Sequence, residues 1–248
     1  MALFVGSLLL RPYVFLFLLA YLAVALRDLG GRRTLLFTAW VWPLAFLAEF
    51  SSTRTGIPFG LYHYTGDTRD RELFIADVPF FDSLSFVFLA YAAYCVARTL
   101  ASSARPLFFA LAGGVSMMLL DVVIDPIAVR GDQWFLGRIF WYAEPGYYFG
   151  VPVSNFAGWA LLGALSIGGY LLIASRVFGP EPSPGRPLPG VGLYYGVLLF
   201  NLAVTAWIGE WSLLLAGVTL HLVAAAVLFR LRIPSRAGAA GAAMEGRS

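Results

Sequence analysis

Four acidic residues stand at the ends of apolar runs that are long enough to cross a membrane: Glu49, Asp121, Asp125 and Glu210. An acidic side chain at the centre of a membrane helix costs roughly 2.5–3.5 kcal/mol, so such residues usually pair or serve a function. Counting the crossings along the chain brings all four to the same face of the bilayer. The pattern predicts one carboxylate-rich layer in which chemistry takes place.

Asp121 and Asp125 lie four residues apart, directly before Pro126. In a helix this spacing puts both carboxyls on one face. Two like charges at that distance repel, so either one carboxyl keeps its proton or a cation lies between them. The first arrangement provides a general acid and the second a metal site. The spacing alone leaves both open.

The segment from Glu49 to Tyr64 carries a second group of candidates. Gly56, Pro58 and Gly60 predict a turn, and Tyr62 and Tyr64 flank His63. Tyrosines are also common at the membrane interface without any function, which explains these two equally well. Arg54 is the nearest possible counter-charge for Glu49, so a structural ion pair is the alternative to a catalytic role.

Two further aspartates precede the next apolar run. Asp82 immediately begins that run, where a carboxylate caps a helix and interacts with its dipole. We therefore expect Asp82 to support stability rather than catalysis. The role of Asp77 stays open.

The segment 141–159 combines aromatic residues with two polar ones. Glu144 lies in an aromatic loop that begins with Trp141, and Asn155 stands at the start of an apolar run that also contains Trp159. Asn155 either caps that helix or orients a carboxylate or a water molecule.

Composition assigns the chain to the integral membrane proteins. Its 248 residues are 60% hydrophobic and 12% charged, whereas soluble domains are about 45–50% apolar and about 25% charged. The net charge of +3 is too small to suggest nucleic acid. The single cysteine, Cys95, excludes an internal disulfide. Phosphate-binding loops, histidine boxes and zinc spacings are missing from the sequence, so we expect no cofactor.

The apolar runs predict an all-α, polytopic membrane helix bundle, because helix-length runs can satisfy their backbone polar groups in lipid. Seven spans are expected, or eight if loop 126–153 contains a re-entrant helix. The spans form one transmembrane domain over 1–234, followed by a disordered tail over 235–248. The Pro- and Gly-rich segment 179–190 is expected to be an exposed connector. The seven predicted spans are 5–26, 34–50, 82–101, 105–125, 154–177, 190–209 and 211–230.

The arginines predict the orientation in the membrane. With the N-terminus outside, eleven of them lie on the inner side and six on the outer side. The positive-inside rule therefore favours an outer N-terminus and an inner C-terminus. We expect a multi-pass protein of the bacterial cytoplasmic membrane.

Four segments together resemble the integral-membrane carotenoid biosynthesis proteins, and the resemblance extends over about residues 40–230. That family includes carotenoid 1,2-hydratases that act on γ-carotene, lycopene or bisanhydrobacterioruberin. The resemblance implies addition of water to a terminal isoprenoid double bond without a redox cofactor. It also implies a carotenoid substrate drawn from the lipid phase, and other carotenoid biosynthesis enzymes as possible partners. The four segments are Glu49–Tyr64, Asp77–Asp82, Asp121–Pro126 and Glu144–Trp159, with 150–159 the most specific part.

The chemistry of hydration assigns roles to the candidates. Protonation of the alkene gives a tertiary carbocation, which then captures water, so the site needs an acid, a base and aromatic faces. We expect Asp121 and Asp125 to provide the acid, with Glu144 as the next candidate, and Glu49 to act on the water. The residues expected to contact the substrate are Tyr62, Tyr64, Trp141, Asn155, Trp159 and Glu210.

The sequence also leaves three other functions open. A polyprenyl transferase would hold diphosphate through aspartate-bound Mg²⁺, but it normally needs two acidic motifs and the sequence has one. A proton-coupled transporter would use the same buried carboxylates, but its usual internal repeats are not evident. A pigment-binding structural protein would leave the carotenoid unchanged. We expect no metal.

Overall fold

The computed structural model describes residues 2–100, 106–179 and 187–245. In this part of the chain, eight α-helices carry the fold and four short strands lie in the loops, so the predicted all-α membrane bundle is confirmed. The helices are α1 (Ala2–Leu10), α2 (Pro12–Asp28), α3 (Gly31–Thr55), α4 (Phe80–Leu100), α5 (Pro106–Ala128), α6 (Val153–Phe178), α7 (Leu188–Trp207) and α8 (Trp211–Glu245). The strands are β1 (Tyr62–Tyr64), β2 (Phe74–Ile75), β3 (Val78–Pro79) and β4 (Phe140–Tyr142).

Helix α4 forms the centre of the bundle. It contacts α2, α3, α5, α6 and α7, and most of its residues are buried on every side. A helix that is apolar around its whole circumference belongs in such a position. The neighbouring helices instead leave leucines exposed on their outer faces, as Leu16 on α2 and Leu199 on α7 do, which suits contact with lipid.

Helices α5 and α6 pack most closely, and small residues allow it. A Cβ atom at Gly114 would lie 2.4 Å from the carbonyl oxygen of Ala160, and one at Gly163 would lie 2.9 Å from Cα of Gly114. Small residues at facing positions let membrane helices approach at backbone distance. This contact brings the carboxyl end of α5, with its two aspartates, against the start of α6, where Asn155 lies.

Among the described residues, five helices are long and apolar enough to cross a membrane: α3, α4, α5, α6 and α7. The first predicted span, 5–26, is a bent pair instead, because α1 and α2 meet at an angle of 94°. Arg11 stands at the bend with its side chain buried, and Pro12 starts the second helix. The seventh predicted span, 211–230, corresponds to the start of α8. The described apolar part of this helix, Trp211–Val227, is shorter than the other spans.

The two long loops meet in a two-stranded ribbon. Strands β1 and β4 pair antiparallel, with Tyr62 opposite Tyr142 and Tyr64 opposite Phe140. Loop 126–153 therefore contains a strand and a short 3₁₀ turn (Gly131–Gln133), and the alternative of a re-entrant helix in it is wrong. Strands β2 and β3 form a second small hairpin just before α4.

Two predicted segments are only partly described. The connector predicted at 179–190 includes residues 180–186, which lie outside the described residues. The tail predicted to be disordered, 235–248, overlaps α8, and its last three residues also lie outside the described part. The disorder of the tail stays a prediction.

Candidate functional site: an aromatic cavity with two carboxyl pairs

A cavity of about 110 Å³ lies between the ribbon and the helix bundle. On the same measure a water molecule needs about 10–15 Å³, and a cavity of about 150 Å³ can hold a benzene ring. The space therefore admits several waters or a small apolar end group. Its polar lining includes Tyr13, Glu49, Tyr62, Tyr64, Asp82, Ser85, Asp125, Tyr142, Asn155 and Asn201.

The first carboxyl pair consists of Glu49 and Asp82, joined by Tyr64. The Tyr64 hydroxyl lies 2.7 Å from Oε1 of Glu49 and 2.9 Å from Oδ2 of Asp82. Helix α3 continues to Thr55 and ends where Gly56 takes a left-handed conformation, so Glu49 lies inside the helix rather than at its end. Its second oxygen, Oε2, is buried and has no hydrogen-bond partner within the described chain.

A buried arginine stands behind Asp82. Arg11 Nη1 lies 3.4 Å from Oδ1 of Asp82. The stronger contact of Arg11 is a two-point ion pair with Glu72, at 2.7 Å from Nε to Oε2 and 3.0 Å from Nη2 to Oε1. Glu72 compensates most of the charge of Arg11, so Asp82 receives only part of it.

The second carboxyl pair consists of Asp121 and Asp125, joined by Asn155. The Asn155 Nδ2 donates to Oδ2 of Asp121 at 2.6 Å and to Oδ2 of Asp125 at 2.7 Å. The Tyr142 hydroxyl donates to the same oxygen of Asp125 at 2.8 Å. Asp125 lines the cavity, whereas Asp121 is fully buried behind it and does not.

The tyrosine hydroxyls of the ribbon stay protonated. Burial raises the pKa of Tyr64 well above its usual range, and the neighbouring carboxyls of Asp82 and Glu49 add to the shift. Burial, followed by Asp125, does the same to the pKa of Tyr142. Burial also raises the pKa of Tyr62, with Glu49 as the next cause. Each hydroxyl is thus available as a hydrogen-bond donor at any physiological pH.

Aromatic rings form the apolar walls. Phe86 and Trp159 pack with their ring centroids 4.6 Å apart, and Tyr62 packs edge-on against Phe140 at 5.6 Å. Aromatic faces attract cations through their quadrupole. The cavity therefore combines proton-exchanging groups with surfaces that stabilise positive charge.

On one side the cavity is lined by residues of α2 and α7. There Tyr13 and Phe200 stack at 5.1 Å, and Phe17 meets Phe200 edge-on at 5.7 Å. All three line the cavity and are only half-buried. These three rings form the seam between α2 and α7.

Besides Asp121, three of the predicted site residues lie outside the cavity. Glu144 is exposed in the loop after β4. Glu210 forms an ion pair of 2.8 Å with Arg130 near the cavity's end of the bundle. Trp141 is 41% exposed and packs against His63 with the ring centroids 5.0 Å apart, because residues alternate between the two faces of a strand and its neighbours face inward.

Four other predicted residues, Glu49, Asp125, Asn155 and Trp159, line the cavity, as do Tyr62 and Tyr64. The predicted alternative of an ion pair between Glu49 and Arg54 does not hold, because Arg54 pairs with Asp77 at 2.8 Å instead.

The expectation for Asp82 also differs from the structure. It lies in the first turn of α4, but its side chain lines the cavity and contacts Tyr64 and Arg11 rather than capping the helix.

A side chain, rather than an open space for a cation, lies between Asp121 and Asp125. The Asn155 amide, a hydrogen-bond donor, occupies the position between their oxygens that a cation would take. Within the described ranges, no three His, Cys, Asp or Glu side chains group as ligands of one ion.

Residues 10–227 match the family of carotenoid biosynthesis proteins. The chain belongs to this family. Together with its apolar helices, this makes it an integral membrane protein of carotenoid biosynthesis.

A curated relative carries a more specific name. Bisanhydrobacterioruberin hydratase from Haloarcula japonica is 35% identical over 124 residues, which are 48% of this chain and 38% of that protein. The match thus covers well under two thirds of the relative's length. No solved structure matches the chain.

Proposed function

We propose that this protein is a carotenoid 1,2-hydratase, which adds water across the terminal C1,C2 double bond of an acyclic ψ end group. The observation that carries the proposal is that three carboxyls, those of Glu49, Asp82 and Asp125, line one cavity with aromatic walls. The family and the name of the Haloarcula relative support the same reaction class. The substrate is γ-carotene, lycopene or a similar carotenoid, taken from the cytoplasmic membrane.

The reaction needs no group beyond those in the cavity. A carboxyl gives a proton to C2, which leaves a tertiary cation at C1. The rings of Phe86, Trp159 and Tyr62 stabilise that cation. Water then forms the C1–O bond, and a second carboxyl takes the proton that the water releases. One water is added in total.

The decisive experiment is expression in a lycopene-producing bacterial host, followed by mass analysis of the pigments. The proposal expects a pigment heavier than lycopene by one water. Unchanged pigment in cells whose membranes contain the protein would count against hydration and favour the pigment-binding alternative. Products that carry an added prenyl group would favour a transferase.

Removal of metal separates hydration from prenyl transfer. We expect turnover in isolated membranes to continue in excess EDTA, because proton transfer between carboxyls and an alkene requires no Mg²⁺. A transferase that holds diphosphate through Mg²⁺ would stop and would recover when Mg²⁺ is restored. The measurement is product formed per unit of membrane protein, with a Mg²⁺-dependent prenyl transferase as the control.

The long hydrocarbon leaves the cavity through the seam between α2 and α7. The cavity is too small for a polyene, and the half-buried rings of Tyr13, Phe17 and Phe200 are its lining on the lipid side. The end group thus reaches the carboxyls while the rest of the chain stays in lipid. Other carotenoid biosynthesis enzymes in the same membrane would supply the substrate and receive the product.

A larger side chain in the seam is expected to slow the entry of long substrates. Overpacking typically costs about 1–3 kcal/mol, so Phe200→Trp should reduce hydration of lycopene about tenfold or more. A short acyclic isoprenoid that fits inside the cavity should be affected much less. Phe108→Trp, on the exposed face of α5, is the matched control. Equal losses for long and short substrates would contradict this route.

A further inference from the structure

The two carboxyl pairs differ in the group that joins them. A tyrosine hydroxyl has one hydrogen to donate, whereas an asparagine amide has two. Tyr64 joins Glu49 and Asp82 with a hydroxyl, and Asn155 joins Asp121 and Asp125 with an amide. The two bridges therefore require different numbers of protons on the carboxyls.

The Tyr64 bridge requires a proton on one of its two carboxyls. The hydroxyl donates its hydrogen to one carboxyl oxygen, and its contact with the other is a hydrogen bond only if that carboxyl donates in return. The second oxygen of Glu49 is buried without a partner in the described chain, so a full charge there would be poorly compensated. Glu49 and Asp82 thus share one proton across the hydroxyl.

The Asn155 bridge requires no such proton. Its two amide hydrogens satisfy one oxygen on each aspartate, and Tyr142 adds a second donor to Asp125. The other oxygen of Asp121, Oδ1, is buried without a hydrogen-bond partner in the described chain, so a charge on Asp121 would be poorly compensated and a proton in this pair lies on Asp121. Asp125 has two donors on one oxygen, which favour its ionised form. Asp125 is also the member of this pair that lines the cavity, so its carboxylate can accept a proton from bound water.

We propose that Glu49, Tyr64 and Asp82 together form the general acid, and that Asp125, oriented by Asn155 and Tyr142, is the general base. This assignment rests on the proposed hydration and exchanges the roles expected from the sequence. Asp82 donates the proton, because its side chain is 26% accessible whereas Glu49 is buried. Glu49, whose buried Oε2 has no partner in the described chain, holds the shared proton at rest, and the Tyr64 hydroxyl passes a proton to Asp82. Glu49 and Tyr64 are thus positioning residues that act through Asp82.

The proton balance closes within the cavity. Asp82 loses a proton to C2 of the alkene, and the C1 cation binds the oxygen of water. That water releases its proton to Asp125. Asp125 then passes a proton to the next water that enters, and the Tyr64-bridged pair takes one up from the same water-filled space. The alkene and one water become one tertiary alcohol.

Deuterium exchange separates the acid from the base. When the acid protonates the alkene and no water is captured, the cation can return a proton to the same carboxylate. In D₂O the recovered substrate then carries deuterium at its end group. The deuterium content of the recovered substrate therefore measures the activity of the acid alone. The amount of hydrated product depends on both the acid and the base.

Tyr64→Phe keeps the ring and removes the bridge. We expect hydration and exchange to fall together, by about 10² or more, because both need the acid. Asp125→Asn should lose hydration but retain exchange. Tyr21→Phe, which removes a buried hydroxyl bonded to Thr38 outside the cavity, should change neither. Membranes are tested for equal amounts of each variant, and Asp82→Asn replaces Tyr64→Phe if that variant does not accumulate.

Each result has one meaning for the proposal. If Tyr64→Phe retains deuterium exchange but loses hydration, Tyr64 acts on the attacking water rather than with the acid, and the proposal is overturned. Exchange lost in Asp125→Asn but kept in Tyr64→Phe would restore the roles expected from the sequence. If the unmodified protein shows neither reaction with any acyclic carotenoid, the proposed hydration itself fails. Normal hydration in Tyr64→Phe would overturn only the assignment of the acid.

Discussion

Asp125→Asn is expected to abolish detectable hydrated carotenoid in the lycopene-producing host. The amide keeps the shape of the side chain but cannot accept a proton from water, and a general acid or base typically contributes about 10²–10⁴-fold to the rate. The variant should still accumulate in the membrane, because the substitution removes a charge from the interior of the bundle and keeps the shape of the side chain. The measurement is the ratio of hydrated pigment to lycopene at equal protein level.

Two other aspartates serve as comparisons for Asp125→Asn. Asp132→Asn lies on the exposed 3₁₀ turn and should leave the product ratio unchanged. Asp121→Asn should cause a smaller loss, since Asp121 is buried behind Asn155 and does not line the cavity. If Asp121→Asn abolishes hydration and Asp125→Asn does not, the base is misassigned.

Glu49→Gln is expected to reduce hydration by a comparable factor, about 10²–10⁴. A second carboxyl beside Asp82 favours a shared proton, because two adjacent carboxylates repel. Without the acidic group, Asp82 faces only Arg11 and a tyrosine donor and would be ionised. The acid would then be missing although no residue that contacts the alkene has changed.

Thermal unfolding in detergent distinguishes this loss from misfolding. Removal of a buried, partly unpaired carboxyl should leave the melting temperature of Glu49→Gln unchanged or higher. Asp67→Asn, on an exposed turn, is the control for both activity and stability. Near-normal hydration in Glu49→Gln would show that Asp82 needs no carboxyl partner.

The sequence by itself determined the class of molecule and much of the candidate site. The apolar runs predicted a helical membrane bundle because local hydropathy is sufficient to recognise spans. The i,i+4 spacing put Asp121 and Asp125 on one helical face, and the start of the next helix supplied Asn155. These relations depend on helix geometry and chain order alone.

The bend between α1 and α2, which divides the first predicted span, depends on tertiary contacts. Arg11 lies within the predicted span 5–26, and its side chain is buried against Glu72, more than sixty residues away in the chain. A guanidinium with such a partner is stable inside the bundle. The chain bends by 94° at Arg11, between α1 and α2. No local pattern identifies the partner.

The identity of the third cavity carboxyl also depended on the tertiary structure. Asp82 resembled a helix cap in the sequence, and Glu144 and Glu210 resembled site residues. The pairing of β1 with β4, almost eighty residues apart, turns Tyr64 and Tyr142 toward the carboxyls and Trp141 away from them. Strand register decides which face each residue takes, and long-range pairing rather than local sequence determines that register.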